Sequence, residues 1–326
     1  SLHRRGHALS LVAAAGSQLP STPLQQSWLE PGVPQPSWQH QPRQAPVQVP
    51  ADGLLPRFWQ RALAEQQHFD AVLNLGYDWL PLWLTPQFQT PLCHLVSMGS
   101  VGEAMDQVIA ATAQQFPAQV AFHTASQAGD FQLSGPPTLL ANGFDFSNYS
   151  FNPDPQPCLG WVGRIAPEKG LEDAAQVAAA QGWPLRVWGL KEDAAYAAAV
   201  EASVPAGTIE WRGFLPTQQL QRELGQCAVM LNTPKWNEAF GNVVVEAMAC
   251  GVPVLAYRRG GPAELIEDGL TGYVVPPDQP EALLQHLPAA LELDRLACRR
   301  QAESRFGLEA FGARLEAWIN KSVATA

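Results

Sequence analysis

Residues 228–256 place the strongest constraint on the fold of this chain. An apolar run ends before Asn232, Pro234 breaks it, and residues 241–251 have the composition of a helix bounded by glycines. A second apolar run at 252–256 predicts another strand. A helix that starts at the carboxyl end of a parallel strand points its free N–H groups into the crevice of the sheet. We therefore expect an anionic ligand at this point.

Two glutamates, Glu238 and Glu246, flank the start of this predicted helix. At about 1.5 Å of rise per residue they lie on the order of 10 Å apart. That is too far for the roughly 5 Å carboxylate pair of a double-displacement glycosidase, but it suits two parts of one long ligand. The alternative is that Glu246 is an ordinary helix residue and Glu238 is a loop charge beside a favourable helix dipole.

Composition excludes several classes of protein. A chain of 326 residues, 46% apolar and 15% charged, has room for two domains with substantial cores. A net charge of −10 argues against nucleic-acid binding. The sequence shows neither a membrane-length apolar run nor a signal peptide, so we expect no stable membrane association. The five scattered cysteines are expected to be reduced core residues of a cytoplasmic protein.

Strand and helix patterns alternate through the first half of the chain. The first residues resemble the last turn of a helix, capped by Gly6 and followed by a strand. Residues 18–50, rich in Gln and Pro, predict a long surface loop ending in a short strand near 47–49. Beyond the loop we expect helices at 56–67 and 101–116, and strands at 71–75, 92–96, 119–123 and 138–141.

The second half repeats the alternation. We expect strands at 158–163, 185–189, 208–212, 228–232 and 272–275, helices at 171–181, 191–203 and 217–226, and further helices from about 280 and at 308–319. Such alternation indicates α/β domains, each with a parallel sheet covered by helices on both faces. Asn142-Gly-Phe-Asp145 and the prolines at 153, 155 and 157 predict a linker, which separates a domain at 1–145 from one at 146–305.

The central motif also carries a family resemblance. Glu238-Ala-Phe-Gly-Asn-Val-Val-Val-Glu246-Ala-Met-Ala-Cys-Gly-Val-Pro-Val, followed by Gly260-Gly-Pro-Ala-Glu264, resembles the paired-glutamate signature of retaining glycosyltransferases of the GT-B fold. This large group includes sucrose and glycogen synthases. The resemblance implies two Rossmann-like domains with the active site in the cleft between them. It also implies that a C-terminal helix, about 306–326, completes the first domain, and that a first strand and a glycine-rich loop are missing before Ser1.

The resemblance assigns roles within this motif. The first glutamate and the backbone amides after it would hold the donor sugar, and the second glutamate would hold the ribose of the nucleotide. In this chain Glu238, Phe240, Gly241 and Asn242 would face the sugar, and Glu246 would face the ribose.

The segment from Gly163 to Gly170 lies between the first predicted strand and helix of the second domain. A strand-to-helix loop at this place faces the crevice, where Arg164 can bind a diphosphate through a planar fork and Lys169 as a point charge. The alternative is that both are solvated loop charges. The segment matches the family pattern for pyrophosphate contact, which adds Gly163 to the donor site and makes Arg164, Lys169 and Glu238 the expected catalytic residues.

The resemblance also places the nucleobase near Arg212 and Phe214, at the end of another predicted strand. No Asp-x-Asp motif at a strand end and no His or Cys cluster with zinc spacing occurs in the sequence. We therefore expect no metal and no other cofactor. The negative charge of the leaving diphosphate would be met by Arg164, Lys169 and the helix N-terminus.

The first domain holds the candidate acceptor site. Residues 1–142 contain five Arg, no Lys and eight acidic residues, which favours a small soluble acceptor over a phospholipid. Aromatic and carboxylate side chains suit the stacking and hydrogen bonding of a flat heterocycle. The candidates are Tyr77, Asp78, Trp79, Ser97 and Asp106. The alternative is that the tryptophans belong to the core. Ser97 stands where the family often has a histidine, and His94, inside a strand, is expected to be structural.

Residues 69–85, 94–100 and 104–107 resemble a narrower branch, the cyanobacterial UDP-glucose:tetrahydrobiopterin glucosyltransferases. This resemblance implies transfer of glucose from UDP-glucose to a hydroxyl group of a reduced pterin with retention of anomeric configuration. Three alternatives remain open at this point: a glycosyltransferase with a sugar or lipid acceptor, a sugar-nucleotide epimerase of the same fold, and a truncated, non-catalytic nucleotide-sugar-binding protein.

Overall fold

The computed structural model describes residues 1–19 and 21–325, which divide into two compact units. The first unit comprises Ser1–Ala141 and the residues from Glu309 onward, and the second comprises Asn142–Leu308. Every strand pairing in the described part of the chain is parallel. The parallel sheets expected from the alternating pattern are therefore confirmed.

The described residues of the first unit, 1–19, 21–141 and 309–325, form six strands in two sheets. Its elements are β1 (Ser10–Ala14), β2 (Gln26–Glu30), α1 (Leu54–Glu65), β3 (Val72–Asn74), α2 (Trp79–Leu84), β4 (Leu92–Val96), α3 (Glu103–Gln115), β5 (Val120–Phe122), α4 (Ala125–Ala128) and β6 (Thr138–Leu139). β1 pairs with β2, and the other four strands lie in the order β3-β4-β5-β6. Before β1, a 3-10 turn at Leu2–Arg5 ends at Gly6, as predicted.

The predicted loop at 18–50 differs from the structure at three points. It contains β2 and a 3-10 turn at Trp38–His40, and residues 47–49 form no strand. Pro46 and Pro50 flank residues 47–49 and remove two backbone N–H donors that a ladder would need. β2 carries polar residues because it is an edge strand, whose pairing among the described residues is with β1 in a two-stranded sheet. Pro20 of the predicted loop lies outside the described residues.

The core of the first unit is built around β4. All five residues of β4 are buried, as expected for a central strand of a parallel sheet covered on both faces. Met105 and Ile109 of α3 are fully buried against one side of the sheet. This arrangement fixes the carboxyl ends of β3 and β4 side by side at one edge of the sheet.

The second unit has one six-stranded sheet. Its elements are β7 (Gln156–Val162), α5 (Leu171–Gln181), β8 (Leu185–Trp188), α6 (Ala194–Ala202), β9 (Ile209–Gly213), α7 (Thr217–Leu224), β10 (Cys227–Asn232), α8 (Asn242–Ala249), β11 (Val254–Tyr257), α9 (Pro262–Leu265), β12 (Gly272–Val275), α10 (Pro280–Leu291) and α11 (Arg295–Phe306). Predicted helix 191–203 begins later, at Ala194, because the Asp193 side chain accepts from Tyr196 N and caps the helix there.

The strand order of this sheet is β12-β11-β10-β7-β8-β9. The chain starts in the middle with β7, proceeds outward to β9, and then returns to place β10 on the other side of β7. The strand order therefore reverses between β7 and β10. At such a switch point the loops that follow the two strands diverge and leave a crevice for a ligand.

A last helix, α12 (Leu308–Ala324), packs on the first unit. Leu315 and Trp318 are buried with Cys93 and Leu95 of β4, and the Trp318 indole donates a hydrogen bond of 2.7 Å to the Ala118 carbonyl. Ala326, the end of the helix predicted at about 306–326, lies outside the described residues. Within residues 1–19 and 21–325, no helix has the length and apolarity needed to cross a membrane.

Candidate functional site

Two loops meet at the switch point of the second unit, residues 163–170 after β7 and residues 233–241 after β10. Thr233 Oγ1 donates to the Gly170 carbonyl at 2.7 Å, and Lys235 N donates to the Glu168 carbonyl at 2.9 Å. Gly170 has φ 64°, and a Cβ there would lie 2.0 Å from the Thr233 carbonyl oxygen. Glycine is therefore required for the two loops to approach this closely.

The loops bring Lys169 and Glu238 into direct contact. Lys169 Nζ donates to Glu238 Oε2 at 2.5 Å, and the two side chains are 18% and 20% exposed. Trp236 Nε1 donates to the same carboxylate oxygen at 3.1 Å. The Lys169 ammonium also lies 4.6 Å from the centre of the Trp236 ring, a cation–π distance. Two residues selected from separate sequence motifs thus form one ion pair.

The backbone of Glu238 is fixed by the loop that follows β11. Gly261 N donates to the Glu238 carbonyl at 2.7 Å. Gly260 has φ 71°, and a Cβ there would lie 2.4 Å from both the nitrogen and the oxygen of Glu238. The Gly-Gly pair of the motif therefore lets two loops at the carboxyl ends of neighbouring strands come into contact.

Helix α8 begins at Asn242, four residues after Glu238. The Phe240 side chain is 4% exposed and stacks on Phe144 at 6.4 Å, so this residue can face a ligand only through its backbone. Gly241 is the N-cap of α8, and the exposed Asn242 Oδ1 accepts from Asn142 Nδ2 at 2.7 Å. The N–H groups at the start of α8 are the part of this helix that suits an anion.

Glu246 lies on α8 and is partly buried. Burial raises the pKa of its carboxyl group, and the neighbouring side chains of Gln221 and Tyr149 act in the opposite direction. A carboxylate held among such partners suits the recognition of hydroxyl groups, which donate hydrogen bonds to it.

Arg164 lies on the same loop as Lys169 and is also paired. Its guanidinium donates to Glu168 at 2.9 Å and to Glu192. Both cations that the sequence predicts for a diphosphate are therefore neutralised by carboxylates of the protein.

Arg212 and Phe214 lie at the end of β9 and just beyond it. Arg212 forms a 3.0 Å ion pair with Glu223, and the Phe214 side chain is 69% exposed. Leu190, after the neighbouring strand β8, is 60% exposed as well. The sequence motifs do not include Leu190, although its place directly after β8 indicates that it lies beside the β9 loop.

The sequence motifs also gave no indication of a polar network around Lys235, which precedes Glu238 on the same loop. Lys235 pairs with Asp173 and with Asp278, and the Tyr257 hydroxyl donates to Asp173 at 2.6 Å. Arg259 donates to Asp278 at 2.6 Å, and this bond is the main reason that the pKa of Asp278 is lowered to about 2. These hydrogen bonds connect the loop at 233–241, which carries Glu238, to α5 and to the segment after β12.

The acceptor candidates of the first unit follow β3 and β4, whose carboxyl ends lie side by side. Several of their polar atoms already have partners in the protein. The Tyr77 hydroxyl donates to the Gly99 carbonyl at 3.1 Å, and Asp78 caps α2 and accepts from Trp38 Nε1 at 3.2 Å. Burial of Asp78 raises the pKa of its carboxyl group.

The other three candidates differ in exposure. Trp79 stacks on Trp83, whose side chain is 55% exposed, at 5.5 Å between ring centres. Ser97 is exposed immediately after β4. Asp106 accepts from Arg43 at 2.7 Å and from Ser100 Oγ at 2.8 Å. This edge of the sheet therefore has one aromatic stack and several polar side chains that are hydrogen-bonded to other groups of the protein.

His94 is structural, as expected from its place inside a strand. Its ring nitrogens contact Asn74 Nδ2 at 3.1 Å and Thr85 Oγ1 at 2.9 Å. Burial lowers the pKa of His94 to about 3. Among the described residues, no group of three or more His, Cys, Asp or Glu side chains is arranged to hold a metal ion.

Comparison with known proteins agrees with this geometry. Residues 145–305 match the family model described as Glycosyl transferases group 1. The sucrose synthase of Acidithiobacillus caldus is 39% identical over 93 residues, which are 27% of this chain and 12% of that protein. The GDP-mannose-dependent alpha-mannosyltransferase of Mycolicibacterium smegmatis is 33% identical over 160 residues, 48% of this chain and 41% of that protein.

The HepE protein of Anabaena, solved in complex with UDP, has the same fold, with a TM-score of 0.73 at 16% identity over 96% of this chain and 100% of HepE. The predicted GT-B fold, with two Rossmann-like domains, is thereby confirmed. The chain spans less than half the length of each of these two curated relatives. The family match and the names of both relatives support the predicted enzyme class, a glycosyltransferase.

Proposed function

We propose that this chain is a retaining glycosyltransferase that moves a hexose, glucose from UDP-glucose, to a hydroxyl group of a small acceptor. The observation that carries this proposal is the contact of Lys169 with Glu238 at the switch point of the six-stranded sheet in the second unit. One loop supplies a cation for a diphosphate, and the other supplies a carboxylate for a sugar hydroxyl. The UDP bound to HepE, a protein of the same fold, supports UDP as the nucleotide of the donor.

The proposed mechanism is front-face transfer. The bond between the anomeric carbon and the diphosphate breaks, and the sugar gains oxocarbenium character. Arg164, Lys169 and the N–H groups at the start of α8 stabilise the negative charge that develops on the diphosphate. The acceptor oxygen bonds to the same face of the sugar and passes its proton to a leaving-group oxygen, so the anomeric configuration is retained.

For the acceptor we propose a reduced pterin, tetrahydrobiopterin. The aromatic stack of Trp79 and Trp83 and the Asp106 carboxylate in the same unit support a flat heterocycle with N–H groups. The resemblance of residues 69–85 to the pterin glucosyltransferases points in the same direction.

The experiment is a measurement of UDP release from UDP-glucose with and without tetrahydrobiopterin, with the product identified by mass. Release that depends on the pterin, together with a glucosylated pterin, is the expected result. Release of UDP with a sugar or a lipid but never with a pterin would show that the acceptor is a sugar or a lipid. Isomerised sugar nucleotide would indicate an epimerase, and UDP binding without release would indicate a non-catalytic binding protein. Parallel assays with GDP-mannose test the donor.

A further inference from the structure

Trp236 contacts both members of the central ion pair, although no role follows for it from the sequence motif. Its indole Nε1 donates to Glu238 Oε2, and its ring faces the Lys169 ammonium. A single side chain two residues before Glu238 therefore touches the carboxylate and the cation together.

Both hydrogen bonds to the Glu238 carboxylate end on the same oxygen. Lys169 Nζ and Trp236 Nε1 each reach Oε2, at 2.5 Å and 3.1 Å. Within the described ranges, 1–19 and 21–325, no donor is bonded to Oε1. This arrangement leaves Oε1 available to accept a hydrogen bond from a hydroxyl group of a ligand.

The backbone of Glu238 has little freedom to change this orientation. Gly261 N holds its carbonyl, and Gly260 lies directly against its nitrogen and oxygen. The direction of the carboxylate therefore depends on the side-chain torsions, and these are restrained by Trp236 and Lys169.

The two donors differ in what they do when a diphosphate enters. An ammonium ion on a flexible stem moves readily to a more strongly charged partner. The indole N–H is neutral and belongs to a rigid ring, so a phosphate competes for it less well. We therefore expect the hydrogen bond from Trp236 Nε1 to Glu238 Oε2 to persist when Lys169 moves to the diphosphate.

We propose that Trp236 is a positioning residue that keeps Glu238 Oε1 directed at the donor sugar while Lys169 binds the diphosphate. This inference rests on the proposed function, because it assigns a sugar nucleotide to the site. It predicts that loss of the indole N–H lowers the turnover of UDP-glucose and leaves the affinity for UDP unchanged.

The test is Trp236→Phe, which retains an aromatic face for Lys169 and removes the N–H donor. Calorimetry should give the same affinity for UDP within about twofold, whereas turnover of UDP-glucose should fall about tenfold, the effect of losing one hydrogen bond to a charged group. Trp318→Phe is the matched control. It removes another indole hydrogen bond, the one to the Ala118 carbonyl in the first unit, and should leave both quantities unchanged.

Two results would overturn the inference. One is a Trp236→Phe variant that turns over UDP-glucose at the wild-type rate, and the other is an equal loss of affinity for UDP and UDP-glucose. If the wild-type chain itself neither binds UDP-glucose nor releases UDP, the proposed function fails, and the two failures are thereby distinguished.

A spectroscopic readout tests the hydrogen bond directly. In protein labelled with 15N-tryptophan, the Trp236 indole signal is assigned by its absence from Trp236→Phe. Addition of UDP should leave this signal at its hydrogen-bonded position, and Glu238→Ala should shift it. A shift on UDP binding that equals the shift in Glu238→Ala would show that the bond breaks, and the inference would be wrong.

Discussion

Lys169 Nζ lies 2.5 Å from Glu238 Oε2, so the cation and the carboxylate that we assign to neighbouring parts of one ligand neutralise each other. A partly exposed ion pair of this kind contributes on the order of 1 kcal/mol. A diphosphate carries more negative charge than one carboxylate and can therefore displace Glu238 from Lys169. Binding of the donor would separate the pair and leave each residue with its own part of the ligand.

Glu238→Gln should separate the two parts of donor recognition. The amide cannot form an ion pair with Lys169, so we expect UDP to bind as well as in the wild type or a few-fold more tightly. Turnover of UDP-glucose should fall at least about tenfold, because the carboxylate contact to the sugar is lost. Calorimetry with UDP and a UDP-release assay measure both effects. Glu201→Gln, an exposed residue of α6, is the control. Wild-type turnover in Glu238→Gln would remove this residue from the site.

Glu246→Gln should lower the affinity for UDP itself, by about tenfold, because a charged acceptor for the ribose hydroxyls is lost. Calorimetry with UDP measures this effect.

The same substitution should also change the stability of the protein. Burial raises the pKa of the Glu246 carboxyl group, so its ionisation opposes folding. The stability that the protonated form contributes is present at low pH and is lost as pH rises through the raised pKa. The variant should therefore be more stable than the wild type at pH 7.5. Urea unfolding at pH 4 and pH 7.5 should show the difference only at the higher pH, and a difference equal at both would contradict this account.

Arg164→Ala should lower turnover of UDP-glucose at least about tenfold, because charge on the leaving diphosphate is then stabilised less well. Its unfolding free energy should change little, since Arg164 is a partly exposed loop residue. Arg222→Ala, on the exposed side of α7, is a matched control and should retain the wild-type rate. An unchanged rate in Arg164→Ala would place this residue outside the site.

His94 should make the first unit sensitive to acid. Its pKa is about 3 in the folded chain against 6.5 for an ordinary histidine, so the unfolded chain binds the extra proton. Stability should fall as pH drops below about 6.5, by up to about 1.4 kcal/mol for each pH unit. His94→Gln should reduce this slope between pH 6.5 and pH 4, measured by urea unfolding. The same slope in both proteins would show that other groups cause the acid sensitivity.

Removal of metal ions should leave the activity intact. We assign stabilisation of the leaving diphosphate to Arg164, Lys169 and the start of α8, and none of these requires a metal. The UDP-release assay in the presence of excess EDTA should therefore give the same rate as the untreated protein. A rate that falls with EDTA and returns with magnesium would show that a metal ion carries part of this charge.

The second unit was predicted from sequence more completely than the first. Its strands are apolar runs bounded by glycines and prolines, and a parallel sheet covered on both faces requires such runs. α5 and β12 begin and end at the predicted residues. α11 was missed because its charged residues hide a buried stripe of Cys298, Ala302 and Phe306, spaced four apart.

The first unit was harder because local pattern and tertiary environment disagree there. β2 reads Gln-Ser-Trp-Leu-Glu, which is too polar to be recognised as a strand, and Pro81 interrupts the helical pattern of α2. Trp28 of β2 packs edge-on against Phe69, a contact between residues far apart in the sequence. Tertiary packing of this kind stabilises such elements and leaves no local signal.

Within the site, the sequence indicated Lys169 and Glu238 separately but not their contact. That contact depends on β10 lying beside β7, and strand order cannot be deduced from a list of strands. Trp236 and Lys235 were missed for the same reason, because their partners come from across the switch point or from another loop.

The position of α12 has a consequence for the order in which the chain folds during synthesis. Leu315 and Trp318 cover apolar residues of β4, but they are made more than 200 residues after that strand. Asn142–Leu308 is continuous in the chain and is complete before α12 emerges from the ribosome. The second unit can therefore fold first, while the first unit keeps an exposed apolar face until residues 309–325 are made. Of the two units, the first would therefore depend more on chaperones.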